Sequence, residues 1–311
     1  MQELTTTRER DCFTACSLPA TSLIICSRNR PKFLLECVQS ILRGGDLPTE
    51  LIIIDQSATS HAVLEKLKTE RRCDIRYLWT RSVGVSRARN AGIAAARHDI
   101  LVFTDDDMLA SVSWFGSLIG ALVDAGPRTV VIGRVLPTAP EIPGGFAPST
   151  MIEKVPAVYE GRIGKDVLMG NNMAMYRSAI GKVGAFDERL GPGTRFPSSE
   201  DNDLGFRLLE AGYCIMYEPK AELYHRAWRT RGDHVRMGWS YGHGQGAYYA
   251  KYLSIRDPYM LHRVIRDIMR RIRLFPGRIL REPLRACGDA AYIFALAYGG
   301  SEWVLTQRNT K

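Results

Sequence analysis

Short apolar runs of strand length alternate with segments of helical periodicity along the first third of the chain. The apolar runs cover residues 22–26, 50–54, 75–79 and 100–103. Helical spacing is predicted over residues 33–42, around Val63, Leu64 and Leu67, and over residues 85–96. Because the runs are continuously apolar, they are typical of strands that are buried on both faces of a parallel sheet. The pattern predicts an α/β fold with a mostly parallel sheet flanked by helices.

The pattern continues less regularly up to residue 225. A fifth strand is predicted over residues 129–136, and the Pro- and Gly-rich stretch 137–156 predicts a long binding loop. A helix is predicted over residues 200–212, where Gly212 ends it. Two short strands are predicted to follow, over residues 214–217 and 221–224.

A basic amphipathic helix is predicted over residues 259–275. Its apolar side chains share one face, and its arginines fall largely elsewhere; the apolar positions are Leu261, Val264, Ile265, Ile268, Ile272 and Phe275. One interpretation packs this face on the body of the protein and leaves the arginines in solvent. The other is a helix that binds an anionic membrane. The longest apolar run, residues 290–298, is far shorter than the about 18 residues that a membrane span needs.

Composition and charge narrow the functional classes. The 311 residues are 45% hydrophobic and 24% charged, which is globular composition and excludes collagen-like and disordered chains. The formal charge of +9 is concentrated in residues 226–285, which hold 13 Arg and one Lys against four acids. Such a segment predicts a phosphate-rich partner: nucleic acid, anionic lipid or an anionic substrate.

The cysteines and the N-terminus bear on the compartment. The seven cysteines form no C-x-x-C pair, which argues against a disulfide framework or a zinc site and suits a reducing environment. Residues 1–20 have no apolar core of the kind found in signal peptides, and they are predicted to be a loose leader.

Polar residues directly follow the predicted strands. In a parallel sheet, ligands bind beyond the carboxyl ends of the strands, so residues 27–30, Asp55 and residues 104–107 are expected at one edge. The segment 104–107 contains three adjacent carboxylates, those of residues 105–107, which repel one another unless a cation lies among them. Hard oxygen ligands suit Mg²⁺ or Mn²⁺, with phosphate oxygens completing the shell. A solvated acidic turn is the alternative.

Further candidates come from the second half of the domain and from the small-residue helix. Glu200, Asp201 and Asp203 open a predicted helix; capping explains one acid, and a surplus carboxylate could act as general base. His225 ends a predicted strand and is either structural or an additional metal ligand. Residues 84–92 either pack closely on the sheet or bind a phosphate at the start of a helix.

Taken in order, these motifs resemble family 2 glycosyltransferases, inverting nucleotide-sugar enzymes with the GT-A fold. The matching segments are SLIICSRNRP, IIIDQS, GVSRARNAG, FTDDD, GNNMAMYRSAIGKVGAFDE, SEDNDLGFRLLEAGY and EPKAELYH. The resemblance implies a GT-A catalytic domain over residues 21–225. Its nucleotide-binding half would cover about residues 21–107 and its acceptor half about residues 108–225. A basic helical C-terminal region, residues 226–311, would extend it.

The resemblance also implies roles for individual residues. Those implied to contact the nucleotide sugar are Ser27, Arg30, Asp55, Arg89, Asn90, Asp105 and Asp106. Those implied to bind Mn²⁺ or Mg²⁺ are Asp107, Asp105 and His225. Asp201 would be the catalytic base, with Glu200 as the reserve candidate. Those implied to line the substrate cleft are Asn171, Asn172 and Trp114.

The implied reaction moves one sugar from a nucleotide-sugar donor to the hydroxyl of a glycan or lipid-linked acceptor, in bacterial polysaccharide or glycolipid synthesis. A UDP- or dTDP-sugar is the expected donor, although Gln56 stands where many members have a second Asp and leaves the nucleotide open. No Q-x-x-R-W motif follows Asp201, which argues against a processive synthase. The expected location is the cytoplasm, with peripheral contact at the inner membrane face, and no specific nucleic acid is expected.

Two alternatives stay open at this point. A sugar nucleotidyltransferase uses a similar nucleotide-binding sheet but leaves the acids at 200–201 and His225 poorly explained. A non-enzymatic protein that binds anionic membrane or nucleic acid explains the basic segment. It leaves the acidic clusters without a use.

Overall fold

The computed structural model describes residues 18–61, 72–226 and 228–308. Within these ranges, one nine-stranded sheet is flanked by eight helices. Most of the predicted leader and the helix predicted around Val63 lie outside the described residues.

The first half of the sheet is parallel, as its continuous apolar runs predict. Its strands are β1 (Thr21–Ser27), β2 (Glu50–Asp55), β3 (Asp74–Trp79) and β4 (Ile100–Asp105). They pair in the order β3-β2-β1-β4. Helix α1 (Pro31–Leu42) packs on the face of Leu23 and Ile25, and α2 (Val85–Ala95) packs on the opposite face with Ile24. The carboxyl ends of these strands therefore meet at one edge.

The second half of the sheet is mixed rather than parallel. Its strands are β5 (Met108–Ala110), β6 (Thr129–Pro137), β7 (Ala157–Tyr159), β8 (Asn172–Tyr176) and β9 (Cys214–His225). Strand β8 runs antiparallel between β4 and β6, while β6 and β9 are parallel. Strands β5 and β7 run antiparallel to β9. The sheet as a whole is therefore mixed: it is parallel through its first four strands and between β6 and β9, and antiparallel elsewhere.

Strand β9 is one element where the sequence predicts two. Its register with β6 shifts between Gly133 and Arg134, where Glu218 and Glu222 are the successive partners. Pro219 lies inside this irregularity and has no N–H to give to a ladder, so it is accommodated in a bulge. The proline predicts two strands, but the structure has one continuous strand that contains Pro219.

The remaining helices complete the two layers and the C-terminal region. They are α3 (Trp114–Ala125), α4 (Arg177–Val183), α5 (Glu200–Glu210), α6 (Asp233–Tyr252), α7 (Tyr259–Arg281) and α8 (Pro283–Arg308). Helix α3 shares the core of α1, whereas α4 and α5 share the core of α2. No helix in the described ranges combines the length and the apolar character that crossing a membrane requires.

Helices α6 and α8 pack at unusually close range along a line of glycines. Gly238, Gly242 and Gly246 recur every four residues on α6 and so share one face. A Cβ atom on these glycines would lie 2.1, 2.2 and 2.0 Å, respectively, from a backbone carbonyl oxygen of α8. Glycine is required here because any side chain would force the two backbones apart.

Helix α7 confirms the predicted amphipathic helix, but only part of its apolar face packs on the body: Val264 and Ile268 contact the core formed with α6 and α8. Leu261, Ile265, Ile272 and Phe275 are 46%, 50%, 50% and 39% exposed, and we call them the apolar stripe. The interpretation that packs this face on the body is therefore wrong for these positions. The helix also approaches the body with arginine, and Arg263 is among its buried residues.

Candidate active site

A cavity of about 980 Å³ opens at the carboxyl edge of the parallel strands. Ten of the residues predicted for the site line it: Ser27, Arg30, Arg89, Asp105, Asp106, Asp107, Asn171, Glu200, Asp201 and His225. The loop between β6 and β7 contributes Pro148 and Ser149, in agreement with its prediction as a binding loop. Asp107 and Asp201 come from different elements and face the same space.

The acids after β4 have unequal environments. The Ser27 hydroxyl donates to Asp106 Oδ2 at 2.7 Å, and Arg30 Nη1 lies 3.0 Å from Asp107 Oδ2. Burial raises the pKa of Asp106 to about 7, helped by the charge of Asp107 and opposed by Ser27 and Arg30. Burial also acts to raise the pKa of Asp107, but the hydrogen bond and charge of His225 outweigh it and lower that pKa. Asp107 is therefore the acid that stays ionised.

His225 and Asp107 present one nitrogen and one oxygen atom that could together bind a divalent cation. The Nδ1 of His225 lies 2.9 Å from the Pro148 carbonyl oxygen, and because a carbonyl only accepts, Nδ1 carries the hydrogen. The Nε2 atom then faces Asp107 Oδ1 at 3.4 Å. A neutral ring would point a lone pair at a carboxylate, an arrangement that a shared cation or a proton on Nε2 stabilises.

This pair supplies only part of a coordination shell. Burial lowers the pKa of His225, but the hydrogen bond and charge of Asp107 raise it overall, which favours the proton when no cation is bound. No group of three or more His, Cys, Asp or Glu side chains is placed to hold a metal within the part of the chain that the structure describes. One oxygen and one nitrogen fit Mn²⁺ or Mg²⁺ if phosphate oxygens and water complete the shell.

Arg89 joins the two acidic segments from beneath the cavity. Its side chain is almost fully buried; Nη1 donates to Glu200 Oε1 at 3.0 Å and Nη2 to Asp105 Oδ1 at 3.1 Å. Nη2 also lies 3.3 Å from the carbonyl oxygen of Gly170. The sequence predicts Arg89 near the nucleotide. The structure shows its donors occupied by the protein, so that it holds the ends of β4 and α5 together.

The first two acids of α5 differ in what holds them. Glu200 is bound to Arg89, whereas Asp201 accepts hydrogen bonds only from the backbone N–H groups of Gly170 and Asn202, at 3.4 and 2.9 Å. No cation lies within ion-pair distance of Asp201 among the residues described. Burial raises the pKa of Glu200 to about 7, with the charge of Asp201 adding and that of Arg89 opposing, and burial raises the pKa of Asp201 too.

These contacts favour Asp201 over Glu200 as a proton acceptor. The pKa of both carboxyl groups is raised, so the difference is one of access: a Glu200 oxygen is taken up by Arg89, whereas no ion pair competes with an acceptor hydroxyl for Asp201 among the described residues. The alternative role at the helix N-terminus also has support, because all three acids lie in the first turn of α5 and Asp201 accepts from the Asn202 N–H there. The third acid, Asp203, is structural: it is fully buried and accepts from Lys251 and Tyr252.

Four predicted site residues do not line the cavity: Asp55, Asn90, Trp114 and Asn172. Asp55 is fully buried and accepts from the hydroxyls of Ser57 and Tyr77 at 2.5 and 2.6 Å. Asn90 pairs with the backbone of Phe186 through two hydrogen bonds of 3.0 Å. Both side chains are occupied in shaping loops beside the site.

Trp114 and Asn172 form a buried pair below the cavity. Trp114 Nε1 donates to Asn172 Oδ1 at 2.9 Å, and Asn172 Nδ2 donates to the carbonyl oxygens of Arg134 and Ala221 at 3.0 Å each. The neighbouring Asn171 does line the cavity, and its Oδ1 is buried without a hydrogen-bond partner among the described residues. Of the two asparagines, Asn171 is thus the one that is placed to meet a ligand.

A hydrogen-bond network that the sequence did not reveal joins α5 to α7. Gln245 Oε1 accepts from Ser199 Oγ and Asn202 Nδ2, both at 2.8 Å. Gln245 Nε2 donates to Asp166 at 2.9 Å, and Arg263 donates to the other oxygen of Asp166 at 2.5 Å. No local pattern links these positions, which lie on four separate segments of the chain.

Comparison with known proteins places the chain among sugar-transferring enzymes. The family model described as "Glycosyl transferase family 2" matches residues 22–184, which is more than half of the chain. The chain is 29% identical over 214 residues to the pre-mycofactocin glycosyltransferase of Mycobacterium tuberculosis, covering 66% of this chain and 42% of that relative. It is 46% identical over 67 residues to the N-acetylglucosaminyl-diphospho-decaprenol L-rhamnosyltransferase of the same species, covering 21% and 20%. The chain thus spans less than half the length of these curated relatives.

Solved structures share the architecture at low sequence identity. The mannosyltransferase PcManGT of Pyrobaculum calidifontis, in complex with GDP-Man and Mn²⁺, has a TM-score of 0.60 and 16% identity, with 92% of this chain and 88% of that chain covered. S. aureus TarS has a TM-score of 0.56 and 14% identity, with 92% and 50% covered. These likenesses confirm the GT-A fold with its C-terminal helical extension.

Proposed function

We propose that this chain, which belongs to glycosyl transferase family 2, transfers one sugar from a nucleotide-sugar donor to an acceptor hydroxyl with inversion at the anomeric carbon. The observation that carries the proposal is that Asp107 and Asp201 line one cavity from opposite segments of the domain. Asp107 pairs with His225, and Asp201 has no cationic side chain within ion-pair distance among the residues that the structure describes. Donor activation and proton removal can therefore be divided between them.

The donor side is proposed at the ends of β1 and β4. A divalent cation, Mn²⁺ or Mg²⁺, held by Asp107 and His225 would neutralise negative charge on the departing diphosphate. Ser27, Arg30 and Gln56 line the same part of the cavity and are proposed to bind the nucleotide. Two observations support the cation. His225 and Asp107 place a nitrogen and an oxygen ligand side by side, and solved structures of this fold contain Mn²⁺, GalNAc-T7 with UDP among them. A UDP- or dTDP-sugar remains the proposed donor.

Asp201 is proposed to take the proton from the acceptor hydroxyl. An alcohol is ionised too little near neutral pH to attack without a base, and such a base is typically worth about 10²–10⁴-fold in rate. Attack from the face opposite the diphosphate inverts the anomeric centre in one displacement. Arg89 has a positioning role, because it fixes Glu200 and Asp105 and so sets the distance between the two ends of the reaction.

Asp201→Asn is the test of this assignment. A thermal-shift screen of nucleotide sugars with Mn²⁺ first identifies the donor. The variant should then lose transfer by about 10²-fold or more while binding that donor as the wild type does. Asp124→Asn, an exposed acid of α3 that is not among the residues lining the cavity, is the matched control. Full turnover by Asp201→Asn would remove Asp201 from the mechanism, and release of pyrophosphate instead of nucleoside diphosphate would favour a nucleotidyltransferase.

The acceptor is proposed to be a glycan or a lipid-linked sugar of the bacterial cell envelope. The printed name of one relative includes a diphospho-decaprenol group, which supports a lipid-linked acceptor. The apolar stripe of α7 supports it independently. Exposed apolar residues on a helix that also carries the exposed Arg273 match the layered chemistry of an anionic bilayer surface, with acyl chains below and phosphates above. We therefore propose peripheral binding at the cytoplasmic face of the membrane.

Vesicle flotation tests this contact. Wild-type protein should float with vesicles that contain phosphatidylglycerol and much less with pure phosphatidylcholine. Ile265→Ser combined with Ile272→Ser should abolish flotation, while Val123→Ser, an exposed apolar residue of α3, should not. Flotation of the double variant at the wild-type level would refute the contact. Self-association of the wild type without any vesicle binding would assign the stripe to a second copy of the chain.

A further inference from the structure

The face of α7 that turns toward the cavity carries a cluster of cations that the proposed transfer does not use. The cluster consists of Arg263, Arg266, Arg270 and Arg271 of α7 with Lys165 of the preceding loop, and we call it the cationic wall. The donor's diphosphate already has its own partners at the far end, around Asp107 and Arg30. A second concentration of positive charge in the same cavity requires a separate explanation.

Two members of the cationic wall are built into the protein. Arg263 donates to Asp166 at 2.5 Å and to the Tyr248 hydroxyl at 2.8 Å. Arg271 lies 3.4 Å from the centre of the Tyr292 ring and donates to Asp289 at 2.8 Å. The Nε atom of Arg263 is nevertheless buried without a hydrogen-bond acceptor among the described residues, whereas that of Arg271 has Asp267 Oδ1 at 3.4 Å. Buried N–H groups are rarely left unsatisfied, so an oxygen from outside the protein is expected near Arg263.

The other members have N–H groups that a ligand can reach. Arg270 is exposed, and its Nη2 forms an ion pair with Asp267 Oδ1 at 3.6 Å, a distance too long for a hydrogen bond. Arg266 has no carboxylate within ion-pair distance in the described part of the chain. Its guanidinium lies over Gly164, where a Cβ atom would be 1.7 Å from Nη2, so the glycine makes room for the arginine head group.

The position of the cationic wall links it to the acceptor rather than to the donor. Asp166, which holds Arg263, is bound by Gln245, and Gln245 is bound by Asn202, the residue after Asp201. The cationic wall is therefore fixed to the helix that carries the proposed base. Guanidinium groups bind phosphate oxygens through paired N–H donors, and several in one wall favour a group with more than one negative charge.

We propose that the cationic wall is an anion subsite that binds a phosphate or diphosphate group carried by the acceptor. The proposal deepens the proposed function and rests on it. The phosphate would hold the acceptor by a group that does not react and would leave its hydroxyl at Asp201. It would also satisfy the buried Nε atom of Arg263.

The test uses geranyl diphosphate as a probe and the full chain in EDTA, where no divalent cation is available to the Asp107 end. Calorimetry should show binding to the wild type that weakens as salt is raised. Arg266→Ala combined with Arg270→Ala should weaken binding by about tenfold for each guanidinium removed. Arg281→Ala, an exposed arginine of the same helix that is not among the cavity-lining residues, should leave binding unchanged.

Further probes identify the source of the phosphate. Binding of inorganic pyrophosphate as tight as that of geranyl diphosphate would assign the subsite to a water-soluble phosphate ester, and much tighter binding of geranyl diphosphate to a lipid-borne one. Either result supports the subsite if the double variant loses most of the binding. Equal binding by the double variant and the wild type, or no binding by the wild type, would overturn it.

A second variant separates this proposal from the proposed function. Asp107→Ala should keep full affinity for geranyl diphosphate in EDTA, because the side-chain partners of Asp107 are Arg30 and His225, and neither belongs to the cationic wall. Loss of affinity in Asp107→Ala would show that the probe occupies the donor end, and the subsite would fall. Binding of geranyl diphosphate by a protein that binds no nucleotide sugar would leave the subsite in place and refute the transferase.

Discussion

Replacing Arg89 by methionine should destabilise the fold and disorganise the site. Methionine keeps much of the length and the apolar stem of arginine but removes the guanidinium that lies between Glu200 and Asp105. The side chain of Glu200 is 8% exposed and that of Asp105 is 34% exposed. Water can therefore replace Arg89 at Asp105 in part, but it cannot do so at Glu200.

The magnitude follows from this difference. Removing one partner of a buried ion pair typically costs about 3–5 kcal/mol, because the remaining charge stays buried and unpaired. The ion pair with the partly exposed Asp105 contributes little to this cost, because water can solvate that carboxylate. We therefore expect the free energy of unfolding to fall by about 3 kcal/mol at pH 8, taken from the Glu200 half alone. A loss of this size is a large part of the total stability of a typical domain, about 5–15 kcal/mol.

The loss should depend on pH in a defined direction. Burial already raises the pKa of Glu200 from 4.5 to about 7, and removal of Arg89 raises it further. Between the unfolded and the folded pKa, the folded protein binds more protons, so stability falls as pH rises through that window. At pH 5.5 Glu200 is largely protonated in the variant, and the loss should be clearly smaller than at pH 8.

Urea unfolding at the two pH values measures both quantities. Arg87→Met is the matched control: it lies on the same helix, and its pair with Glu188 at 3.3 Å is half exposed on both sides, so about 0–1 kcal/mol is expected. A loss in Arg89→Met no larger than that of the control, or one that is greater at pH 5.5 than at pH 8, would refute the reasoning. Donor binding, measured in parallel, should weaken only in Arg89→Met.

Three further outcomes are expected. Transfer should decline as pH falls from 8 to 5, because burial raises the pKa of Asp201, the proposed base, above its usual value; initial rates across pH 5–8 check this, and a flat profile would contradict it. Asp107→Ala should weaken the binding of the donor in the presence of Mn²⁺ by about tenfold or more. Adding EDTA to the wild type should have the same effect, and calorimetry with and without Mn²⁺ measures both. Gly242→Ala should cost about 1–3 kcal/mol in urea unfolding, since its Cβ would lie 2.2 Å from a carbonyl oxygen, whereas Gly277→Ala on α7 meets open space and should cost nothing.

The sequence predicts the parallel half of the sheet because its strands are continuously apolar and covered on both sides. From that half, the rule for strand ends alone leads to Ser27, Asp105 and Asp107 at one edge, and the structure has them there. Asp201 is different: only the resemblance to a family connects it with them. The second half of the sheet is harder to predict because β9 contains a proline and its neighbours run in both directions.

The orientation of α7 shows the limit of periodicity. Spacing shows which side chains share a helix face, but the partners that decide which face packs lie far away in the chain. Arg263 turns inward because Asp166 is there, and Arg271 because Asp289 and Tyr292 are. In the same way, Asn172 and Trp114 belong to motifs of the site, yet their side chains bond to each other beneath it. Motif membership does not say whether a side chain faces ligand or core.

The line of glycines between α6 and α8 has a consequence for shortened forms of the protein. Because the two helices touch backbone to backbone, α8 covers the glycine face of α6. Without α8, that face has no side chains of its own to shield the backbone. Deleting the last helix, Pro283–Arg308, would bare that face and remove Asp289 and Tyr292, on which Arg271 rests. A fragment ending at Glu282 should therefore express poorly and be cut readily by proteases near α7, even though it retains every strand and every residue of the proposed chemistry.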